Sequence, residues 1–210
     1  MKSLICFCYI SALIILSFSC NNGPADPVKT AKEENTEKID SQMDTQRHVD
    51  SVAALPTKED ADFVVNAASG GMLEVQLGQL VQTRSKNQRV KQFASMMVKD
   101  HGAGAEKLKA LARSKNITLP DSISNQQQKE KQQLQLKKGA ALDEAYINLM
   151  VDDHKNDIRE FEKQAMNGTY PDVKAFARDN LRMLHIHLDS ALSIQKTFVK
   201  KTADPVLPPY

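Results

Sequence analysis

Four stretches of this chain repeat apolar residues at spacings of three and four, and each repeat is interrupted near its middle by one ionisable residue. That period is the period of one helix face, so such a chain must bury four helical stripes against one another. The first stripe follows Phe63, Ala67, Gly70, Glu74, Leu77 and Val81, on a helix expected from Lys58 to about Arg84. The second follows Val90, Ala94, Met97, His101, Ala105, Leu108 and Ala112, from near Asn87 to near Ser114. The third holds Asp143, Ile147, Met150, His154, Ile158 and Phe161, between about Ala140 and Asn167. The fourth holds Val173, Ala177, Asn180, Leu184, His187, Ala191 and Ile194, between Pro171 and about Lys200.

Boundary residues agree with these spans. Thr57 is a suitable N-cap, with Asp60 three residues on near the positive end of the helix dipole. Pro120 ends the second segment, Asn167-Gly168 stops the third, and Pro171 opens the fourth. Between the second and third helices, the Gln- and Lys-rich residues from Ser122 to Lys138 suit a short surface helix or a long connection. The expected architecture is an all-α four-helix bundle over residues 57–200 with one long crossover between its second and third helices. A helical hairpin assembly, in which each chain lends part of the core, is the competing arrangement.

Glu74, His101, His154 and His187 each stand within about three residues of a helix midpoint, or about 5 Å along the axis. In an aligned bundle all midpoints share one level, so these four side chains can meet in a central layer. Left unpaired there they would cost several kcal/mol, on the order of the penalty for any buried polar group without a partner. Two arrangements satisfy them: a hydrogen-bonded network with or without internal water, or a bound divalent metal such as Zn, Fe or Mn. Asp100 and Asp153 each precede a histidine and point about 100° away from it, which suits them to support imidazoles of neighbouring helices rather than to ligate. Met97, Met150 and Met183 lie four residues before the three histidines. Thioethers there suit copper, but methionine also fills irregular cores, and core packing is the preferred reading.

Residues 1–19 carry one Lys, a mostly apolar run from Leu4 to Leu16, and small residues before Cys20. This is the pattern of an export signal, shorter than the roughly 20 apolar residues that cross a bilayer. The sequence LSFSC resembles the processing box of bacterial lipoproteins, so Cys20 is expected to become a lipidated N-terminus on the membrane of a bacterial cell envelope, in particular the outer membrane. Cys6 and Cys8 leave with the signal, so no disulfide can form. Residues 20–56 are polar and read as a flexible linker that lets the folded part stand away from the lipid; residues 201–210 read as an extended tail.

Composition narrows the function classes. Formal charge is +2 at pH 7, both signs are mixed throughout, and Trp is absent, so no nucleic-acid partner is expected. Gly70-Gly71 lies inside a helical pattern without the context of a phosphate loop, so no nucleotide is expected either, and no H-E-x-x-H occurs.

The stretches ADFVVNAASGGMLEVQLGQL, VKQFASMMVKDHGAGAEKLKALA, LDEAYINLMVDDHKNDIREFEKQA and VKAFARDNLRMLHIHLDSA resemble the four helical blocks of a ferritin-like family of bacterial envelope proteins, domain of unknown function 4142. The matching positions are Glu74, Asp100-His101, Asp153-His154 and His187-Leu188. Around Arg182-Met183 the chain departs, since members usually carry a Pro there. The resemblance covers roughly residues 57–198; it implies an exported ferritin-like bundle and no established activity. Di-iron ferritins would need a Glu three residues before a histidine, and those positions are Val98, Val151 and Leu184, so ferroxidase or iron-storage chemistry is not expected. The expected function is that of a lipid-anchored, non-enzymatic binding or stress-related module, whose central layer is either a hydrogen-bonded network or a metal site. Its rival is a mononuclear metalloenzyme with oxidase or peroxide-handling activity. Because Cys20 is the only cysteine left after export, Cys20→Ser should abolish lipidation and release the protein from membranes or block its processing. Unchanged fractionation with an unmodified N-terminus would contradict this.

Overall fold

A computed structural model describes residues 24–46 and 56–203. Residues 1–19, expected to be an export signal, Cys20 and residues 204–210 lie outside the described residues. Six helices follow in order: α1 Pro27–Gln46, α2 Lys58–Arg84, α3 Gln88–Ser114, α4 Asn125–Gln135, α5 Gly139–Asn167 and α6 Pro171–Ala203. No strand occurs among the described residues.

The long helices begin and end where their capping chemistry dictates. Thr57 and Asp60 form a reciprocal capping box at α2, and the Asn87 side chain accepts from Arg89 N and Val90 N at α3. Ser124 and Gln127 make a second capping box that starts α4. The turn before α5 is made at Gly139, whose φ of +55° is costly for other residues. Only α6 overruns its expected end, continuing past Lys200 to Ala203.

Tight turns make antiparallel hairpins of α2 with α3 and of α5 with α6; α3 also packs on α6 and α2 on α5. The crossover returns along the bundle. Ser124 N donates to Ser69 Oγ partway along α2, whereas Arg84 at the end of α2 donates to the carbonyls of Gln135 and Lys137. Helix α5 therefore starts beside the end of α2 and finishes beside its start, where the buried Asp60 carboxylate accepts from the Gln164 amide and from Thr169 N and Tyr170 N. At the closest approach of α2 and α3, a Cβ on Gly78 would come within 2.8 Å of a Val98 methyl and 3.0 Å of the Ala94 carbonyl.

The core divides into two apolar clusters. One gathers Leu77, Val81, Phe93, Met97, Ile147 and Met150 among others, towards the turn between α2 and α3. The other gathers Phe63, Val64, Leu108, Ile117, Val173 and Ala177 at the opposite end. Glu74, His101, His154 and His187, all buried, lie between them.

The structure corrects the reading of residues 20–56 as a flexible linker, because residues 27–46 form α1 and pack against α2. Low apolar content misled that reading; polar bonds hold the helix instead. Asp26 accepts from Val28 N and Lys29 N at its start, and Pro27 sits at the first helical position, where its missing amide proton is not needed. One turn apart, Ala31 and Asn35 are buried, and the Asn35 amide grips the Thr118 backbone twice, Nδ2 donating to its carbonyl at 2.8 Å and Oδ1 accepting its N–H at 2.7 Å. Asn35→Ala should therefore cost about 1–3 kcal/mol, the penalty of stranding part-buried backbone groups. The loss should appear as rapid proteolytic cleavage within α1 while the other helices stay resistant, and unchanged cleavage of α1 would refute the account.

Candidate metal centre

Each helix of the bundle contributes one side chain to the layer. His101 Nδ1 lies 2.8 Å from Glu74 Oε2. His154 Nδ1 lies 2.9 Å from the carbonyl of Met150, one turn earlier on α5. His187 Nε2 lies 3.1 Å from Asp100 Oδ2. Each imidazole thus uses one nitrogen on an outward partner and turns the other inward: His101 Nε2 is 3.2 Å and His154 Nε2 3.3 Å from His187 Nδ1. Ring centroids stand 5.1 to 5.6 Å apart.

The acceptors assign the tautomers. A carbonyl cannot donate, so His154 carries its proton on Nδ1 and leaves Nε2 bare. The Asp100 carboxylate, one-third exposed, takes the proton of His187 Nε2 and leaves Nδ1 bare. Two lone pairs therefore face each other across 3.3 Å. His101 Nε2 can donate one proton to His187 Nδ1, but no donor then remains for His154 Nε2. Burial keeps the imidazoles from resolving this by taking up extra protons, since it pushes His101 down to about 4, His154 down to about 3, and His187 in the same direction. A cation in the middle satisfies all three nitrogens at once. Tetrahedral ligation with bonds of about 2.0–2.1 Å puts ligand nitrogens about 3.3 Å apart, close to the 3.2 and 3.3 Å from His187 Nδ1 to the other two, and all three lie within 4.8 Å of one another.

The structure brings together all four residues expected in the layer and gives them unequal parts. Glu74, expected among the ligands, stands behind His101 on the nitrogen that faces away from the other rings. Its other oxygen, Oε1, is 3.5 Å from His154 Nδ1, which is already committed to the Met150 carbonyl, and so Oε1 is left without a hydrogen bond. Asp100 supports His187 from the neighbouring helix, the part expected of it. Asp153 touches no imidazole; one oxygen of Asp153, of Asp157 and of Glu74 lie within 4.8 Å of one another. Sequence reasoning missed Asp157, whose signal was its i+4 spacing from Asp153 on the same face. Met97 and Met150 belong to the apolar core, the packing role expected of them, and Met183 lines a cavity.

That cavity, of about 330 Å³, ends on Glu74 and His101 and is otherwise walled mainly by Leu108, Phe161, Phe176 and Leu184. Small residues make the room: a Cβ on Gly70, Gly71 or Gly104 would meet nothing within 4 Å.

Buried imidazoles backed by carboxylates and a carbonyl, at the level where four helices cross, define an all-helical bundle with a polar centre able to hold a metal. Within that class, the chain belongs to the family described as domain of unknown function (DUF4142), whose pattern matches residues 45–194. The fold is also similar to the crystal structure of a DUF305 fragment from Deinococcus radiodurans, with a TM-score of 0.61 and 14% identity over 69% of this chain and 99% of that one. No curated protein matches the chain.

Without a metal, the layer stores protons on its carboxylates. Burial pushes Glu74 up to about 8, and burial together with the charge of Glu74 pushes Asp153 up to about 8. From about pH 7.5 to 8.5 the histidines are neutral when folded and nearly so when unfolded, while these carboxyls keep protons only when folded. The folded state thus binds more protons, and stability falls as pH rises through that window. Chelator-treated protein should melt at progressively lower temperature from about pH 7.5 to 8.5, with a shallower slope in Glu74→Gln. A pH-independent melting temperature would contradict this electrostatic account.

Proposed function

We propose that the protein is a metal-binding module of the bacterial cell envelope, holding one first-row divalent ion through His101 Nε2, His154 Nε2 and His187 Nδ1. The observation that carries this reading is the facing pair of bare nitrogens at 3.3 Å on His154 and His187, with the third imidazole at 3.2 Å. Three neutral imidazoles without thiolate suit Zn²⁺ or Fe²⁺, and suit Mn²⁺, which prefers oxygen ligands, less well. The outward partners do the work of a supporting shell. Met150 and Asp100 fix ring orientation and tautomer, and Glu74 draws on the Nδ1 proton of His101, which makes its Nε2 more basic. Ion entry would require a bare Nε2 on His101, its proton passing to Nδ1 as the Glu74 carboxyl gives up its own, so loading would release one proton.

Export and a lipid on Cys20 complete the proposal, on the strength of the signal-like residues 1–19 and the LSFSC box. No described helix is long and apolar enough to cross a membrane. A second reading, a metalloenzyme, is favoured by the 330 Å³ cavity that ends on Glu74 and His101, because it would let a small molecule such as a peroxide approach the centre.

Full-length protein purified without a metal-affinity tag should contain one equivalent of metal. At ion concentrations a hundredfold above Kd, the bound ion stabilises the fold by about 2.7 kcal/mol, or about 5–10 °C in melting temperature for a chain of this size. Chelator should remove that increment from the parent and leave His154→Leu unaffected, since the variant lacks a ligand. Parent protein with no metal and no response to chelator would reduce the centre to a hydrogen-bonded network. Turnover of hydrogen peroxide by loaded protein, lost in His154→Leu, would select the enzyme reading.

A further inference from the structure

A cleft of about 550 Å³ runs between α2 and α5, and its lining includes Glu59, Asp62, Asp153, Asp157 and Glu160, with Lys163 as the one basic residue. Beyond Asp153 and Asp157 lies the Glu74 carboxylate, the three oxygens being within 4.8 Å of one another. Among the described residues, no Lys or Arg forms a salt bridge with any of the three. On the same residues, Glu74 Oε1 and Asp153 Oδ2 are buried and have no hydrogen-bond partner. Glu74 itself is 1% exposed, so Oε1 is withdrawn from bulk solvent.

An acidic cluster on a surface is ordinary, because water and counterions solvate it. Here the cluster includes a fully buried carboxylate with one oxygen left unbonded, and its exposed side opens on a cleft that gathers further negative charge. Three carboxylate oxygens this close repel one another unless they keep protons or a cation lies among them, and a cation can displace those protons. The donor set is all oxygen, the choice of hard cations such as Mn²⁺, Mg²⁺ and Ca²⁺, whereas the three imidazoles suit borderline ions.

We propose that Glu74, Asp153 and Asp157 form a second cation site, separate from the histidine centre, that takes a hard divalent ion entering through the cleft. Glu74 is shared by the two sites, with Oε2 on His101 and Oε1 left without a hydrogen bond. Asp62 and Glu160 line the approach and raise the local cation concentration without ligating.

Manganese is a suitable probe, since the electron paramagnetic resonance of aqueous Mn²⁺ disappears as the ion is bound. Full-length protein first given one equivalent of Zn²⁺, to fill the histidine centre, should bind one further Mn²⁺ per chain. Asp153→Asn with Asp157→Asn should weaken that binding at least tenfold, while Zn²⁺ content and far-ultraviolet circular dichroism stay as in the parent. Both changes are isosteric and relieve repulsion; should the pair fail to fold, Asp157→Asn alone is read in the same way. Glu160→Gln, in the cleft, should change the affinity less than threefold. Absence of Mn²⁺ binding at millimolar concentration overturns the site, as does binding indifferent to Asp153 and Asp157 or dependent equally on Glu160. Protein that holds Mn²⁺ through Asp153 and Asp157 but no Zn²⁺ upholds this site and overturns the histidine centre. Zn²⁺ without Mn²⁺ does the reverse.

Discussion

Withdrawing three imidazoles and a carboxylate from water at the middle of a bundle is the constraint to which the rest of the structure answers. Each side chain had to find a partner that hydrocarbon cannot supply, and the partners come from three sources: a backbone carbonyl one turn away, a partly exposed carboxylate on the next helix, and a carboxyl buried alongside. These outward bonds turn the rings so that their remaining nitrogens converge. Packing separates accordingly into an apolar cluster on either side, and the length of the helices gives each cluster enough surface to offset the cost of the layer between them.

Much of this was legible in the sequence. A period of 3.6 residues fixes the direction of a side chain around its helix, and the midpoint rule fixes its level, so Glu74, His101, His154 and His187 could be placed together without knowing how the chain crosses over. The period says nothing about which ring nitrogen faces inward. That depends on side-chain torsions and on acceptors such as the Met150 carbonyl, which is why Glu74 was expected beside the histidine nitrogens and stands behind one of them instead. Asp100 was legible because a residue about 100° from its neighbouring histidine must face an adjacent helix. Asp153, by the same logic, faces an adjacent helix too, but meets carboxylates there.

Helix α1 was illegible for a different reason. Patterns of apolar residues detect helices that hydrocarbon burial holds in place, and α1 has little to bury beyond Ala31 and its neighbours. Asn35 holds it by completing the backbone of Thr118, a partner 83 residues away that no local pattern reveals. A polar helix can thus be part of a fold when the neighbouring backbone offers unmet hydrogen bonds.

The start of α1 is moored as firmly as its middle. Asn125 donates its side-chain amide to the Pro24 carbonyl and its backbone N–H to Asp26 Oδ2. Only four peptide steps separate Pro24 from Cys20, and fully stretched chain spans at most about 3.6 Å per residue, so a lipid on Cys20 would have a leash of about 14 Å. A long supple spacer would let the bundle wander and tumble above the bilayer. A leash this short would hold one flank against the headgroups and fix which way the molecule faces. Val28 and Ser124, on that flank, are also on the rim of the acidic cleft. The mouth of the cleft would then open into the thin layer of water where anionic lipids concentrate divalent cations, so that the anchor would act as a compass for ion uptake.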